Sequence, residues 1–191
     1  MIDAKLVSLG ILAGGRGARL GGADKALLQY QGMTLLERAL RTLPEPFADR
    51  LLSYNREPGA LVIAAGLRLV SDLRAEQTGP LAALEALFHA CRSPWLLTVP
   101  VDIRDWPEDL AADLLRATLG DADGCVVRDV DGLQPLVGIW NIAALRTDLG
   151  QALDNSERAV HRWLESHALP VHDISPWCLG NLNSPADFVS R

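Results

Sequence analysis

A chain of 191 residues can bury a substantial core, and we expect a single domain over residues 1–191. Its composition, 49% hydrophobic and 22% charged, is ordinary for a globular protein and excludes an intrinsically disordered chain. Its net charge of −6 argues against nucleic-acid binding, which requires a basic face, so the positive charge for any phosphorylated ligand must be local.

The N-terminal residues lead directly into a predicted strand. Residues 1–5 contain no signal peptide, and residues 6–11 form an apolar run that is typical of a buried strand. No apolar run in the sequence approaches the ~20 residues that span a bilayer. We therefore expect a cytoplasmic protein with no membrane contact.

A glycine-rich segment, LAGGRGARLGGADK at residues 12–25, follows that strand. Five of the nine residues at 14–22 are glycines, which let backbone N–H groups converge on an anion without Cβ atoms in the way. Arg16, Arg19 and Lys25 add three cations, and Asp24 is the only carboxylate in the segment. The pattern predicts a phosphate-binding loop.

Two other phosphate loops are excluded by the residues present. A Walker A loop ends in Gly-Lys-Ser/Thr, whereas Lys25 here lies between an aspartate and an alanine. The dinucleotide fingerprint G-x-G-x-x-G begins with Gly15 and Gly17 but has Leu20 in place of its third glycine. An ordinary flexible loop between a strand and a helix is the alternative, and the three cations disfavour it.

Strands and helices alternate along the first half of the chain. Thr34 and Glu37 have the spacing of a capping box, so a helix should follow Thr34 and run to about residue 43, where prolines stop it. The run at residues 95–99 is apolar throughout, as expected for a parallel strand buried on both faces. The elements predicted between these are strand 50–53, a short helix at 58–65, strand 67–70 and helix 81–90.

The second half continues the alternation and adds one hairpin. Strands 124–128 and 134–140 are predicted to pair through a turn at Asp131 and Gly132. The other predicted elements are helix 110–119, helices 142–153 and 158–167, strand 170–174, and a short last helix capped by residues 181–185. This order predicts a three-layer α/β/α domain with a mostly parallel mixed sheet.

Polar residues follow four of the predicted strands. Because open α/β sheets bind ligands beyond the carboxyl ends of their strands, the segment 12–25, Asn55, Asp72 and Asp102 are expected to form one site. Asp102 directly follows an apolar strand and is placed to hold Mg²⁺, a hard cation that takes one or two carboxylates. The alternative for Asp102 is a helix cap or a turn aspartate. Asn55 either binds a base or ribose or closes a turn, and Arg56 is expected at the surface.

The cysteines and histidines predict no metal or nucleophilic site. Cys91, Cys125 and Cys178 are widely spaced and form no Cys-x-x-Cys pair, so we expect three reduced thiols, with Cys125 in a core strand. The four histidines show neither metal-ligand spacing nor a grouping with serine and aspartate. The chemistry is therefore expected to rest on the glycine-rich segment and the carboxylates.

The glycine-rich segment resembles the signature loop of nucleotidyltransferases. The order of the later motifs is similar to that of the molybdenum cofactor guanylyltransferase family, and the resemblance covers almost the whole chain. The motifs that carry it are YNR at 54–56, Asp72 with GPLA at 79–82, VPVD at 99–102, QPL at 134–136 with Trp140, RAV at 158–160 with Trp163, and NLNSP at 181–185. This resemblance implies a Rossmann-like nucleotidyltransferase fold.

The resemblance also implies roles for individual residues. The backbone of the loop would contact the guanine nucleotide, with Lys25 on its phosphates, while Asp102 would bind both the nucleotide and Mg²⁺. Arg19, Lys25 and Asp102 would be the catalytic residues. The residues implied in nucleotide binding are Leu12, Ala13, Gly14, Gly15, Lys25, Asn55, Asp72 and Asp102, and Asn181 and Asn183 would lie towards the pterin acceptor.

The implied reaction is attack by the terminal phosphate of molybdopterin, with or without molybdenum, on the α-phosphorus of GTP. A cytidylyltransferase for the same pterin, a sugar-phosphate nucleotidyltransferase, and a non-catalytic nucleotide-binding regulator or chaperone are the alternatives. Molybdenum-insertion enzymes and molybdoenzyme chaperones are implied as protein partners, and we expect a monomer. The sequence departs from the family pattern at Val101, where cysteine is frequent, and at Ile103 and Arg104, where Thr-Pro is frequent. We expect these departures to affect only the local shape of the acceptor pocket.

Overall fold

The computed structural model describes residues 2–13, 22–59, 62–63, 65–74, 79–117 and 122–189. These residues form a seven-stranded sheet and a separate two-stranded hairpin. The sheet strands are β1 (Val7–Leu12), β4 (Asp49–Ser53), β5 (Arg68–Val70), β6 (Trp95–Pro100), β7 (Gly124–Asp129), β8 (Gly132–Asn141) and β9 (Val171–Asp173), and the hairpin strands are β2 (Gln29–Tyr30) and β3 (Met33–Thr34).

The strand order across the sheet is β5-β4-β1-β6-β8-β7-β9. Four neighbouring strands are parallel to one another, namely β5, β4, β1 and β6. At the other edge of the sheet, β7 is parallel to β9. β8 is antiparallel to both β6 and β7, and its pairing with β7 is the predicted hairpin. The sheet is therefore mixed and mostly parallel, which confirms the predicted fold class.

Helices cover both faces of the sheet. The described helices are α1 (Leu35–Thr42), α2 (Pro80–Ala90), α3 (Leu110–Ala117), α4 (Ile142–Asp154) and α5 (Val160–Glu165). One apolar cluster joins α1 and α3 to alternate strand residues such as Leu9 and Val99, and a second joins α2, α4 and α5 to the opposite face. These two cores produce the predicted three layers. None of the helices in the described ranges is long and apolar enough to cross a bilayer.

Local hydrogen bonds explain where several elements begin. The Thr34 hydroxyl accepts from the Glu37 N–H at 3.1 Å and the Glu37 carboxylate accepts from the Thr34 N–H at 2.7 Å, so the predicted capping box is confirmed. α2 starts with Pro80 after Gly79, whose φ of 86° favours glycine. Eight of its residues are buried, because α2 packs beneath α4 as well as on the sheet.

Some predicted boundaries were wrong. Residue 6 is not in β1, because its N–H donates to the Asp3 carbonyl in a short 3₁₀ turn. The helix predicted over 158–167 is shorter at both ends: the Glu157 carboxylate accepts from the N–H groups of Arg158 and Ala159, which holds those residues in a turn before α5. The helices predicted over 58–65 and 110–119 both extend into residues outside the described ranges.

The order of the strands leaves a crevice beside β1. From β1 the chain moves to β4 and β5 on one side, and it then crosses to β6 on the other side. Connections that leave in opposite directions open a gap beyond the carboxyl ends of β1 and its neighbours, where α/β proteins bind ligands. The glycine-rich segment starts at this gap, immediately after β1.

Candidate active site

A cleft of about 290 Å³ lies beyond the carboxyl ends of β1, β4, β5 and β6. Its polar lining consists of Lys25, Asn55, Asp72 and Asp102, and each of these was predicted from the sequence as a site residue. The apolar lining consists of Leu12, Gly79, Pro80, Ala83, Pro100 and Leu136. The structure thus brings the residues that follow four separate strands into one site.

Lys25 and Asp102 form an ion pair inside this cleft. Lys25 Nζ lies 2.5 Å from Asp102 Oδ2, and the two side chains are only 18% and 12% exposed. The same ammonium donates to Asn183 Oδ1 at 2.7 Å. One cation is therefore shared between a carboxylate that follows β6 and an amide in the C-terminal segment.

A short 3₁₀ helix, Lys25–Leu27, places the lysine. Asp24 caps this helix, since its Oδ1 accepts from the Ala26 N–H at 3.0 Å. The other carboxylate oxygen of Asp24 accepts from the Tyr54 hydroxyl, and burial together with that carboxylate raises the pKa of Tyr54 to about 12. Arg56 lies at the surface, as predicted, and donates to the Gly22 carbonyl at 2.8 Å. The end of the glycine-rich segment is thus fastened to the residues that follow β4.

Asn55 and Asp72 lie together on the other wall of the cleft. The Asp72 N–H donates to Asn55 Oδ1 at 2.8 Å. Asp72 Oδ1 is shielded from solvent and has no hydrogen-bond partner among the described residues. Burial raises the pKa of this carboxyl, with Asn55 opposing the shift and the charge of Glu85 adding to it. Asp72 Oδ1 is therefore a shielded acceptor that no described residue uses.

The C-terminal segment approaches the cleft from the side of β6. The Leu182 N–H donates to the Asp102 carbonyl at 2.9 Å, and Ile103 pairs with Asn181 in an isolated bridge. Asn181 is exposed and does not line the cleft, whereas Asn183 reaches Lys25. The two asparagines, predicted to share the acceptor side, thus lie in different surroundings.

The departures at Val101 and Ile103 have little effect on the cleft. Both side chains are 1% exposed and belong to the apolar core on the α1 side of the sheet. Arg104 points away from this core and pairs with Asp105 at 2.8 Å. The residues that differ from the family pattern are therefore core or surface residues, and the carboxylate of Asp102 between them is kept in the cleft.

The predicted loop residues lie partly within and partly outside the described ranges. Gly14, Gly15 and Arg19 lie outside the described ranges. Ala13 is described and buried, and its N–H donates to the Ser53 carbonyl at 3.3 Å. A backbone contact from Ala13 to a ligand would therefore use its carbonyl.

The walls of the cleft include residues that the sequence did not mark as site residues. Gly79 and Pro80 are the start of α2, so the positive end of an 11-residue helix borders the cleft. The Gly-Pro pair indicated a helix start, but not that this start would border the cleft. An anionic ligand is favoured at such a position.

Within the described ranges, three metal-ligating groups come together at one place outside the cleft, formed by Asp129, Asp131 and Cys178. Protein donors already occupy Asp129: its Oδ1 accepts from the Asp131 N–H and Gln134 Nε2, and its Oδ2 accepts from the Leu179 N–H. This group ties the β7–β8 turn to the C-terminal segment. The three cysteines are free thiols and Cys125 is buried in β7, as predicted.

Comparison with known proteins gives consistent matches along the chain. Residues 9–171 match the family described as the MobA-like NTP transferase domain. A molybdenum cofactor guanylyltransferase from Pseudomonas syringae pv. syringae (strain B728a) is 37% identical, with 93% of this chain and 89% of that protein covered. Another, from Acidovorax sp. (strain JS42), is 33% identical, with 90% of this chain and 85% of the relative covered.

Among solved structures, the fold is similar to that of molybdopterin-guanine dinucleotide biosynthesis protein A from Archaeoglobus fulgidus. The TM-score is 0.76 with 19% sequence identity, over 95% of this chain and 94% of the other. The likeness supports the architecture described above.

Proposed function

We propose that this chain, which belongs to the MobA-like NTP transferase domain family, transfers GMP from GTP to the terminal phosphate of molybdopterin. Pyrophosphate is the second product, and the first is the guanine dinucleotide form of the pterin cofactor. The observation that carries the proposal is the cleft itself, in which a lysine, two carboxylates and a helix N-terminus lie at the strand ends of a nucleotidyltransferase domain.

The chemistry requires charge stabilisation more than proton transfer. The attacking group is a phosphate monoester, whose second pKa is near 6, so it is already an anion at neutral pH and needs no general base. Its oxygen forms a bond to the α-phosphorus of GTP while the bond from that phosphorus to the β-phosphate oxygen breaks. Negative charge then grows on the leaving pyrophosphate. The Lys25 ammonium and the N-terminus of α2 are positive groups placed to stabilise that charge.

We propose Mg²⁺ as the cofactor, because nucleotidyltransferases generally use a divalent metal and the donor set here suits a hard cation. Asp102 offers carboxylate oxygens at the cleft and already lies against a cation, the Lys25 ammonium. Bound Mg²⁺ would supply positive charge to phosphate oxygens, and Asp102 would hold it.

Asp72 and Asn55 support guanine as the base. Guanine presents two adjacent donors, N1–H and the 2-amino group, whereas cytosine presents one donor beside an acceptor. A carboxylate accepts only, so Asp72 suits the guanine edge and disfavours the cytosine edge. Asn55 can donate or accept and adds a contact to the base or ribose. The carboxylate of Asp72 therefore favours GTP over CTP.

The test is incubation of the protein with Mg²⁺, molybdopterin and one nucleotide at a time, followed by mass detection of the pterin product and assay of pyrophosphate. GTP should give the guanine dinucleotide, while CTP and UTP should give no product. The Lys25→Ala variant serves as the matched control for chemistry in this cleft. A cytosine dinucleotide would instead establish the cytidylyltransferase alternative.

The remaining alternatives have distinct outcomes in the same assay. Turnover with a sugar phosphate in place of molybdopterin would identify a sugar-phosphate nucleotidyltransferase. Protection by GTP against thermal unfolding, without pyrophosphate release for any acceptor, would support a nucleotide-binding regulator. Either result would contradict the proposed reaction.

A further inference from the structure

We propose that Asn183 is a positioning residue for the Lys25 ammonium and acts on the nucleotide side of the cleft rather than on the acceptor. This inference rests on the proposed function, since it assigns a task to a second residue of the same site. It also separates Asn183 from Asn181, which the sequence alone placed together.

The contact itself has one chemical interpretation. A lysine ammonium has three donors and no acceptor, so the amide that lies 2.7 Å from Lys25 Nζ must present its oxygen. Asn183 and Asp102 are the acceptors that contact this ammonium among the described residues. The amide therefore helps to fix where the positive charge of Lys25 lies.

The backbone of Asn183 is itself held in place. Asp187 Oδ2 accepts from the Asn183 N–H at 3.0 Å, and from the Ser184 N–H and hydroxyl at 2.7 and 2.9 Å. On the other side, the Leu182 N–H donates to the Asp102 carbonyl. The side chain that contacts Lys25 thus projects from a turn fixed at both ends, which makes it suitable for positioning.

The Asn183 amide is a neutral partner for the Lys25 ammonium, and this neutrality matters when a metal ion and a nucleotide are bound. Asp102 is also the residue that would hold Mg²⁺, and a carboxylate engaged with a metal ion is a weaker partner for the lysine. Asn183 Oδ1 keeps the ammonium in the cleft under that condition. Because the amide carries no charge, it leaves the positive charge of Lys25 available to the triphosphate.

Asn181 provides the contrast within the same segment. Its side chain is exposed, and the described contact of this residue is the bridge with Ile103. It is one residue from Leu182 and two from Asn183, so both asparagines belong to one stretch of chain. A change at Asn181 is thus a matched control for disturbance of the C-terminal segment.

The experiment measures GTP binding by calorimetry with Mg²⁺ and without acceptor, so that no turnover occurs. Asn183→Ala should weaken GTP binding roughly tenfold, the scale of one lost hydrogen bond to a charged group. Asn183→Asp has the same shape and keeps an acceptor, but its charge opposes the triphosphate, so it should weaken binding at least as much. Asn181→Ala should leave GTP affinity unchanged within twofold.

Coupling to Lys25 distinguishes positioning from a general structural role. In the Lys25→Ala background, Asn183→Ala should change GTP affinity by less than twofold, because the group it positions is absent. Equal effects in both backgrounds would overturn the proposal, as would parent-like GTP binding by Asn183→Asp. If the parent protein bound no GTP, the proposed function would fail instead, so the two failures are distinguishable.

Discussion

Two ion pairs of this protein, Arg74–Glu85 and Lys25–Asp102, are buried to a similar extent but differ in the number and geometry of their hydrogen bonds. Arg74 donates from Nε and Nη2 to the two oxygens of Glu85, at 2.9 and 2.7 Å, and from Nη1 to Asp154 at 2.8 Å. Glu85 is 5% exposed in α2, and Asp154 is the last residue of α4. Lys25 instead meets Asp102 and Asn183 through a single nitrogen.

The difference separates a pair with several fixed contacts from a pair held through one nitrogen. The planar guanidinium of Arg74 is engaged on all three nitrogens, and these bonds raise its pKa further above the normal arginine value. Such a pair is fixed and links the residues after β5 to two helices. The ammonium of Lys25 is a compact charge on a flexible stem, so it can exchange partners when a ligand enters. The exchangeable pair is the one that lines the cleft.

The largest expected effect is on kcat and comes from removing the lysine of the Lys25–Asp102 pair. Lys25→Ala should lower kcat roughly 10²–10³-fold, the scale of losing one preorganised charge-stabilising donor. The midpoint of thermal unfolding of Lys25→Ala should shift less than that of the Glu85→Gln variant described below. Steady-state pyrophosphate release measures the first quantity and calorimetry the second. A loss of kcat smaller than threefold would remove Lys25 from the mechanism.

Removing the acid of the same pair should change the metal requirement. Asp102→Asn keeps the shape of the side chain but removes the charge, so half-saturation with Mg²⁺ should require a concentration higher by roughly tenfold or more. Activity measured across a Mg²⁺ titration gives this value. A variant that titrates like the parent would show that Asp102 does not hold the ion.

Breaking the fixed pair should affect stability instead. Glu85→Gln removes the charge that Arg74 faces, and we expect a loss of about 2 kcal/mol in the free energy of unfolding, less than the ~3–5 kcal/mol of a fully buried pair because Arg74 is 30% exposed. Urea unfolding measures this loss. The kcat of the folded variant should stay within twofold of the parent, and a large fall in kcat at normal stability would contradict the division between the two pairs.

The smallest expected effect is that of replacing Asp72, a carboxylate whose charge destabilises the folded state. Its pKa is raised by burial, so its charged form is disfavoured in the folded state and the cost is present above that raised pKa. Asp72→Asn should therefore leave stability at pH 7 unchanged or slightly higher, while GTP binds roughly tenfold more weakly. Thermal unfolding and calorimetry test both parts together.

The pH dependence of GTP binding follows from the same shift. An acid loses its charge as the pH falls through its pKa, and a raised pKa moves that loss to a higher pH than the usual ~3.9 of aspartate. Parent GTP affinity should thus decline on acidification from above that value. The Asp72→Asn variant should lack this component, and identical pH profiles would exclude a role for the carboxylate in binding.

The sequence predicted those features that depend on neighbouring residues or on the alternation of elements. The Thr34–Glu37 capping box spans four residues and was predictable. The cleft was predictable from Asn55, Asp72 and Asp102, because polar residues after parallel strands must meet at one edge of the sheet. The small hairpin of β2 and β3 was missed, although Gln31 and Gly32, with φ of 52° and 80°, form the kind of turn that joins such strands.

Contacts between distant parts of the chain could not be predicted in the same way. Nothing local to Asn183 indicates that it meets Lys25, because the approach depends on the pairing of Ile103 with Asn181 and on the turn held by Asp187. The hydroxyl of Tyr54 reaches Asp24 across 30 positions for a similar reason. Here the register and path of the backbone decide which side chains meet.

The partnership of Lys25 with Asn183 joins residues that are 158 positions apart in the chain. During translation, the amide is therefore synthesised long after the lysine that it holds. A nascent polypeptide that has already formed β1, β4 and β6 on the ribosome still lacks that acceptor for its lysine. The C-terminal segment therefore supplies the last-made contact of a cleft whose lining residues lie between Leu12 and Leu136.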